Sequence, residues 1–155
     1  MRRVRIFNRQ RTLKLDRILL RRLTRSLLEE LLDRQDYEVG VHLIAATEMA
    51  GLNETFLGHH GSTDVITFNH QENGSSEKRC GEIFISVDDA LAHARRFRVR
   101  WPLEVTRYIV HGVLHLEGFN DTDPASRRAM KRQENKLLKE LSHRFNLGKL
   151  GEAWR

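Results

Sequence analysis

From Leu15 onward, apolar residues recur every third or fourth position, with Leu15, Ile18, Leu19, Leu23, Leu27 and Leu31 marking the period and arginines filling the gaps. That spacing predicts an amphipathic helix over residues 13–34, with one apolar face and one basic face. Ahead of it, RRVRIFN alternates as a strand does. YEVGVHLIAA, 37–46, alternates and then continues apolar, which predicts a second strand. TEMAGLNETFLG reads as a short helix, with Thr47 placed to cap it and Gly58 to end it. TDVITF (63–68) and CGEIFIS (80–86) are short apolar runs and predict strands. Between them NHQENGSSEKR (69–79) is polar and turn-rich, a hairpin-like loop.

Ser86 is placed to cap a helix running to Val99, with Asp88 and Asp89 in its first turn. Pro102 stands where a helix tolerates proline, and the helix it opens runs to about Glu117. Asp123-Pro124 is a cap followed by a first-turn proline, opening a last helix to about Arg144. No internal repeat or low-complexity linker interrupts this order. The pattern predicts one α+β domain over residues 1–155, a small mixed sheet with helices packed against it.

Length and composition agree with that picture: 155 residues, 39% apolar and 31% charged, are ordinary for a globular domain with a real core. A single cysteine, Cys80, excludes a disulfide framework and suits a reducing cytosol, and no run approaches a membrane span or a secretory signal. A cytoplasmic protein without a membrane partner is expected. Charge changes the picture more. Residues 1–34 hold 11 Lys and Arg against 4 Asp and Glu, while the rest of the chain holds 16 against 17. Arginine outnumbers lysine 21 to 6. The planar guanidinium binds phosphate and stacks on bases, so a polyanionic partner is a candidate. Arg17, Arg21 and Arg25 on the first helix, with Arg95 and Arg96 in a cluster that continues to Arg98 and Arg100, are candidate RNA-binding residues. The same charges also read as solvated helix faces and, for the 95–100 cluster, as complements to a helix C-terminus.

The chemistry concentrates in HGVLHLEGFND, 111–121. His111 and His115 are one turn apart, about 6 Å along the helix axis and ~40° around it, so both imidazoles can converge on one ion. Gly118 is placed to end the helix, and the chain can then double back to bring Asp121 to the same point. Three protein ligands leave a position open for water, the arrangement of a catalytic rather than a structural site. Zinc peptidases of this spacing carry a glutamate directly after the first histidine as general base; here that residue is Gly112. Glu117, six residues from His111, projects about 240° around the helix and away from the metal. Metal chemistry without ordinary peptide hydrolysis is the expectation. A two-histidine, one-carboxylate iron site is a further possibility on ligand type, though nothing in the chain marks a cosubstrate pocket.

HGVLHLEGFND resembles the C-terminal motif of the YbeY family of bacterial endoribonucleases and rRNA maturation factors, His-Gly-x-Leu-His-Leu-x-Gly-Tyr/Phe-Asp-His. The match holds through Phe119, after which Asn120-Asp121 stands where Asp-His is usual. LNETFLGHHGSTDVITF and GEIFIS resemble two upstream blocks of the same family, in the same order and at fitting spacing. The resemblance implies a zinc-binding α+β fold with the metal on a central helix and the loop after it, and one zinc per chain held by His111, His115 and Asp121. It implies hydrolysis of single-stranded RNA, with His111 and His115 acting through a metal-activated water. Its implied partners are ribosomal RNA and the small ribosomal subunit, with roles in maturing the 3′ end of the small-subunit RNA and in ribosome quality control. An aspartate in place of the third histidine adds negative charge and weakens the metal as a Lewis acid. The family's arginine before the glycine of the first block, facing the metal cleft, is Leu57 here, and His59 and His60 follow it. That departure favours slower cleavage, and it keeps open a second reading, a ribosome-associated RNA-binding factor whose zinc is structural. Asn53, Thr63 and Asp64 fall at matched positions that also suit turn and cap chemistry. Trp101 and Trp154 are candidates for stacking on bases or, equally, for packing. Cys80 reads as a small packed side chain.

Overall fold

The alternation of RRVRIFN places Val4 and Ile6 on the core side of a strand and Arg3, Arg5 and Phe7 on the other. This is β1 (Arg2–Asn8) of a computed structural model that describes residues 1–71 and 77–151. The centre of the polar loop and Trp154 lie outside the described residues. The expected helix starts later than its apolar period, at Arg17 rather than Leu13. The Gln10 side chain explains the difference, accepting from the Leu13 amide at 2.9 Å and donating to its carbonyl at 2.7 Å, so Leu13 is held outside the helix. Asp16 then caps α1 (Arg17–Ser26) from the Leu19 amide. α1 continues as a π-helical turn through Leu31; Leu20, Leu23, Leu27 and Leu28 are fully buried, whereas Leu19 and Leu31 of the expected apolar period are half-buried and Ile18 is exposed, because the later helix start turns the core face toward Leu20 and Leu28.

β2 (Asp36–Ile44) is followed by α2 (Ala46–Leu57). Thr47 lies inside α2 and does not cap it; the Asp88 carboxylate, from a later helix, accepts from the Ala46 amide at 2.7 Å instead. Gly58 ends α2 as expected. β3 (Val65–Asn69) and β4 (Lys78–Ser86) complete the sheet, in the order β1-β2-β4-β3. β1, β2 and β4 are parallel and β3 is antiparallel to β4, a mixed sheet. α3 (Val87–Arg96) carries its Ser86 cap and stops short of Val99, because Arg98 turns to a left-handed φ of 55°. α4 (Trp101–Leu116) and α5 (Pro124–Arg144) have the prolines in their first turns, and a 3-10 turn at Leu147–Gly151 closes the described chain. No helix among the described residues is long and apolar enough to cross a membrane.

The main core lies between one sheet face and α1, α4 and α5, with Val39, Val41, Ile83 and Ile85 meeting Val105, Ile109, Val113 and Leu138. Trp101 packs at its margin, which is the packing role rather than the stacking one. α2 covers part of the other sheet face through Met49, Ile44 and Ile66. α4 lies directly on β3 and β4. A Cβ at Gly112 would stand 2.7–2.8 Å from three side-chain carbons of Ile83, so only glycine lets the helix seat this closely. The residue that replaces the peptidase glutamate therefore faces the sheet, where a carboxylate would be buried without a partner. Gly112→Ala is expected to destabilise the fold by about 1–3 kcal/mol through overpacking. It should be read as a lower urea midpoint at unchanged slope, and combining it with Ile83→Val should cost less than the sum of the two.

Glu117 closes α4 from the outside. Arg34 and Arg79 both donate to its carboxylate, Nε to Oε2 at 2.9 and 2.7 Å, which ties the end of α1, the start of β4 and the end of α4 together. As its position on the helix predicts, Glu117 points away from the two histidines and does not serve them.

Candidate metal centre

On α4, Val105, Ile109, Val113 and Leu116 are buried in the core, and His111 and His115 stand half-buried on the flank beside them. The helix stops after His115 because Gly118 takes φ 102°, which an L side chain rarely adopts, and the Phe119 amide returns to Leu114 O at 3.0 Å. That reversal carries the chain back along its own helix end. Asp121 Oδ2 comes to 3.8 Å from Nε2 of each histidine, and the two Nε2 atoms stand 3.1 Å apart. Donors around a four-coordinate zinc with bonds of 2.0–2.1 Å lie roughly 3.3 Å from one another. The three atoms already form nearly that triangle.

The hydrogen bonds behind the rings fix which nitrogen points inward. His115 Nδ1 donates to the Phe119 carbonyl at 3.1 Å, and His111 Nδ1 faces Glu134 Oε2 at 3.3 Å. Both Nε2 atoms thus turn lone pairs toward each other across 3.1 Å, an arrangement that repels unless a cation lies between them. A proton on His115 is disfavoured: burial lowers its pKa first, and neighbouring His111 lowers it further. The donor set, two imidazoles and one carboxylate with an exposed side, fits a divalent ion such as zinc.

Glu134 is the functional residue that sequence reasoning passed over. It is 5% exposed, on the buried stripe of α5 with Met130, Leu137 and Leu138. Burial by itself raises its pKa, but hydrogen bonds from His111 and Arg107 outweigh that and the net shift is downward. The signal was available: a charged residue at i+4 from Met130 and i−3 from Leu137 occupies a core position of its helix, where an ionised group needs a stated partner. A carboxylate behind a ligating histidine sets its tautomer and orientation. Glu134→Gln is expected to weaken metal binding roughly 10–100-fold, measured by competition with a chromogenic chelator, while leaving all three ligands in place.

The centre sits at one end of a cleft of about 730 Å³ whose walls include Asp64, Tyr108 and, from α5, Arg127, Arg128 and Lys131. Glu104 is almost fully buried, in contact with the His93 ring and ion-paired with Arg107. Burial and the carboxylates of Asp64 and Glu104 push the Tyr108 hydroxyl well above its ordinary pKa, so it stays a neutral donor.

The remaining sequence candidates separate cleanly. Leu57 is at the exposed end of α2 and does not line the cleft, nor do His59, His60, Arg95 or Arg96. Arg96 lies over the Phe97 ring, 5.2 Å from its centroid. Asn53 does turn chemistry, donating to the Gly61 carbonyl at 2.9 Å. Asp64 accepts from the Val65 amide and also reaches the cleft. Cys80 is half-buried within β4, and burial raises its pKa, as an inert packed thiol requires. Arg17 and Arg21 are exposed on α1 without an ion-pair partner among the described residues, whereas Arg25 is held by Glu29 at 3.3 Å.

The family model described as Endoribonuclease YbeY matches residues 5–142. Among curated relatives, Endoribonuclease YbeY of Chlorobaculum parvum is 42% identical over 87 residues, 56% of this chain and 60% of that protein. The protein of the same name from Anaeromyxobacter sp. is 35% identical over 108 residues, 70% of this chain and 56% of the relative. The chain thus matches over somewhat less than two thirds of these relatives' length. The solution structure of TM1509 from Thermotoga maritima superposes with a TM-score of 0.66 at 27% identity, covering 90% of this chain and 89% of that one. Matched by the family model over residues 5–142, the chain belongs to the YbeY family.

Proposed function

We propose that this protein is a zinc-dependent endoribonuclease that cleaves single-stranded RNA. We place its work in the cytoplasm, on ribosomal RNA of the small subunit, in 3′-end maturation and quality control. The observation that carries the reading is the convergence of His111, His115 and Asp121 at the end of a cleft whose α5 wall is cationic. When bound there, the metal supplies a water of lowered pKa and charge stabilisation at a phosphoryl oxygen.

The chain's own groups do the rest. Glu134 and the Phe119 carbonyl hold the two imidazoles with Nε2 inward. Arg127, Arg128 and Lys131 provide the positive charge that a phosphodiester backbone needs along the cleft. Neutral Tyr108 brings a hydroxyl to the cleft from α4. The position of the family's arginine, Leu57, contributes none of this, and the α5 cations take over its work. An RNA-binding factor with a structural metal is less well supported, because a structural zinc site is closed by four protein ligands. Here three donors converge among the described residues, and Asp121 is exposed. Cleavage of an end-labelled single-stranded RNA by purified protein, before and after removal of the metal with a chelator, tests the reading. Cleavage that requires the metal and returns with added zinc supports it, and no cleavage by fully zinc-loaded protein refutes it.

A further inference from the structure

β1 is an edge strand, and α1 runs along it. Between them lies a groove of about 640 Å³, lined chiefly by Arg5, Phe7, Arg17, Ile18 and Arg21. Its lining holds three arginines and no acid. None of the three has an ion-pair partner among the described residues, whereas nearby Arg3 is paired with Glu38. The groove also keeps large apolar surface in solvent: Ile18 is 76% exposed and Phe7 37%. Phe7 is held rigidly from behind. Its ring stacks on His42 at 4.6 Å and 14°, and His42 stacks on Phe84 at 4.2 Å and 10°. One face of the Phe7 ring is taken by that stack, and the other is turned to the sheet edge.

We propose that this groove is a second RNA-binding site, separate from the metal cleft, that holds a single-stranded segment of the same polynucleotide that is cut. The proposal rests on the nuclease reading above. Single-stranded sites combine a cationic track for the backbone with rigid aromatic faces on which bases stack, and every base has such a face. Phe7 supplies a preformed stacking surface, Ile18 an apolar flank, and Arg5, Arg17 and Arg21 the backbone track. Arg17 and Arg21 are one helical turn apart, about 6 Å along α1, so both forks face the same strand. Charge complementarity selects the occupant: an edge strand that recruited an ordinary peptide would need no unopposed arginine cluster.

The location defines the role. β1 is three strands from β3, roughly 14 Å across the sheet, and α4 with its metal ligands lies on β3 and β4. Only an RNA several nucleotides long can touch both places. The groove therefore favours extended substrates over short ones and leaves the chemistry at the metal unchanged.

The test uses the full chain and two labelled single-stranded RNAs, a trinucleotide, too short to bridge the sheet width above, and one of about twenty nucleotides. Affinity is read by fluorescence anisotropy across a salt series, and cleavage by single turnover. Phe7→Leu keeps an apolar side chain over His42 but removes the ring, and should weaken binding of the long RNA roughly tenfold. The triple change Arg5→Gln, Arg17→Gln, Arg21→Gln touches exposed side chains alone and should flatten the slope of log K against log salt by about two, since each single-strand phosphate contact contributes about 0.7. Cleavage of the trinucleotide should not change in either variant. Long-RNA affinity and salt slope identical to wild type in both variants would overturn the proposal and leave the nuclease reading intact; a groove that served a protein partner would give that result. Wild-type protein that binds neither RNA would instead remove the nuclease reading on which the proposal rests.

Discussion

His115→Ala is expected to strip the metal from the purified protein and to lower single-turnover RNA cleavage by about 10³-fold or more. The site has three converging donors among the described residues, so losing one leaves two, too few to hold a divalent ion firmly in competition with water. The loss is then of the whole electrostatic contribution at the phosphate, several kcal/mol, which is three or more decades in rate. His111→Ala should behave alike, with the added effect that Glu134 loses the imidazole it faces at 3.3 Å. Two readouts make the test sharp: metal content by elemental analysis, expected to fall from about one zinc per chain, and the rate on a labelled RNA. Full zinc content in both variants would place the site elsewhere. Loss of zinc with wild-type cleavage would end the metal mechanism.

The second large effect is expected on the opposite wall. Arg127→Gln combined with Arg128→Gln should lower cleavage roughly 10²–10³-fold, the scale of losing a transition-state donor, while zinc content stays unchanged. Both side chains line the cleft with His111 and Asp121, and neither is a metal ligand. Leu57→Arg serves as the counterpart. The family pattern by itself would make it an activating change, but Leu57 is exposed at the end of α2, off the cleft lining. If the α5 cations hold the phosphate, as proposed, Leu57→Arg should cleave at the wild-type rate. A clear rate gain in Leu57→Arg, with no loss in the α5 double variant, would return the phosphate-holding role to the end of α2.

Much of this was legible in the chain. The alternation of β1 and the Asp123-Pro124 start of α5 are local signals, set by side-chain spacing and backbone capping, and the structure carries them as read; the period of α1 gave the helix and Leu23 and Leu27 as core, but not its start or the exposure of Ile18. The candidate metal ligands were legible for the same reason: His111, His115, Gly118 and Asp121 lie within eleven consecutive residues, so helix geometry and one left-handed turn suffice to bring them together.

Everything that depended on a partner far along the chain was settled by tertiary structure. Thr47 satisfied the rule for a helix cap, yet Asp88 does that work, because the sheet brings the start of α3 beside the start of α2. Leu13 fitted the helical period and is held out by the Gln10 side chain. Gly112 was noticed for the glutamate it lacks, but its cause is the Ile83 side chain beneath it. Glu134 lies 23 positions from His111, and only the packing of α5 on α4 makes it the carboxylate behind that imidazole. The same packing lines the cleft with Arg127 and Arg128, whereas sequence logic had placed the candidate RNA-binding residues on the first helix and in the 95–100 cluster. The candidate ligands are thus a property of one short segment and were written in the sequence. The charges that orient them and line the cleft come from other elements, and which charges those are was decided by how the helices pack on the sheet.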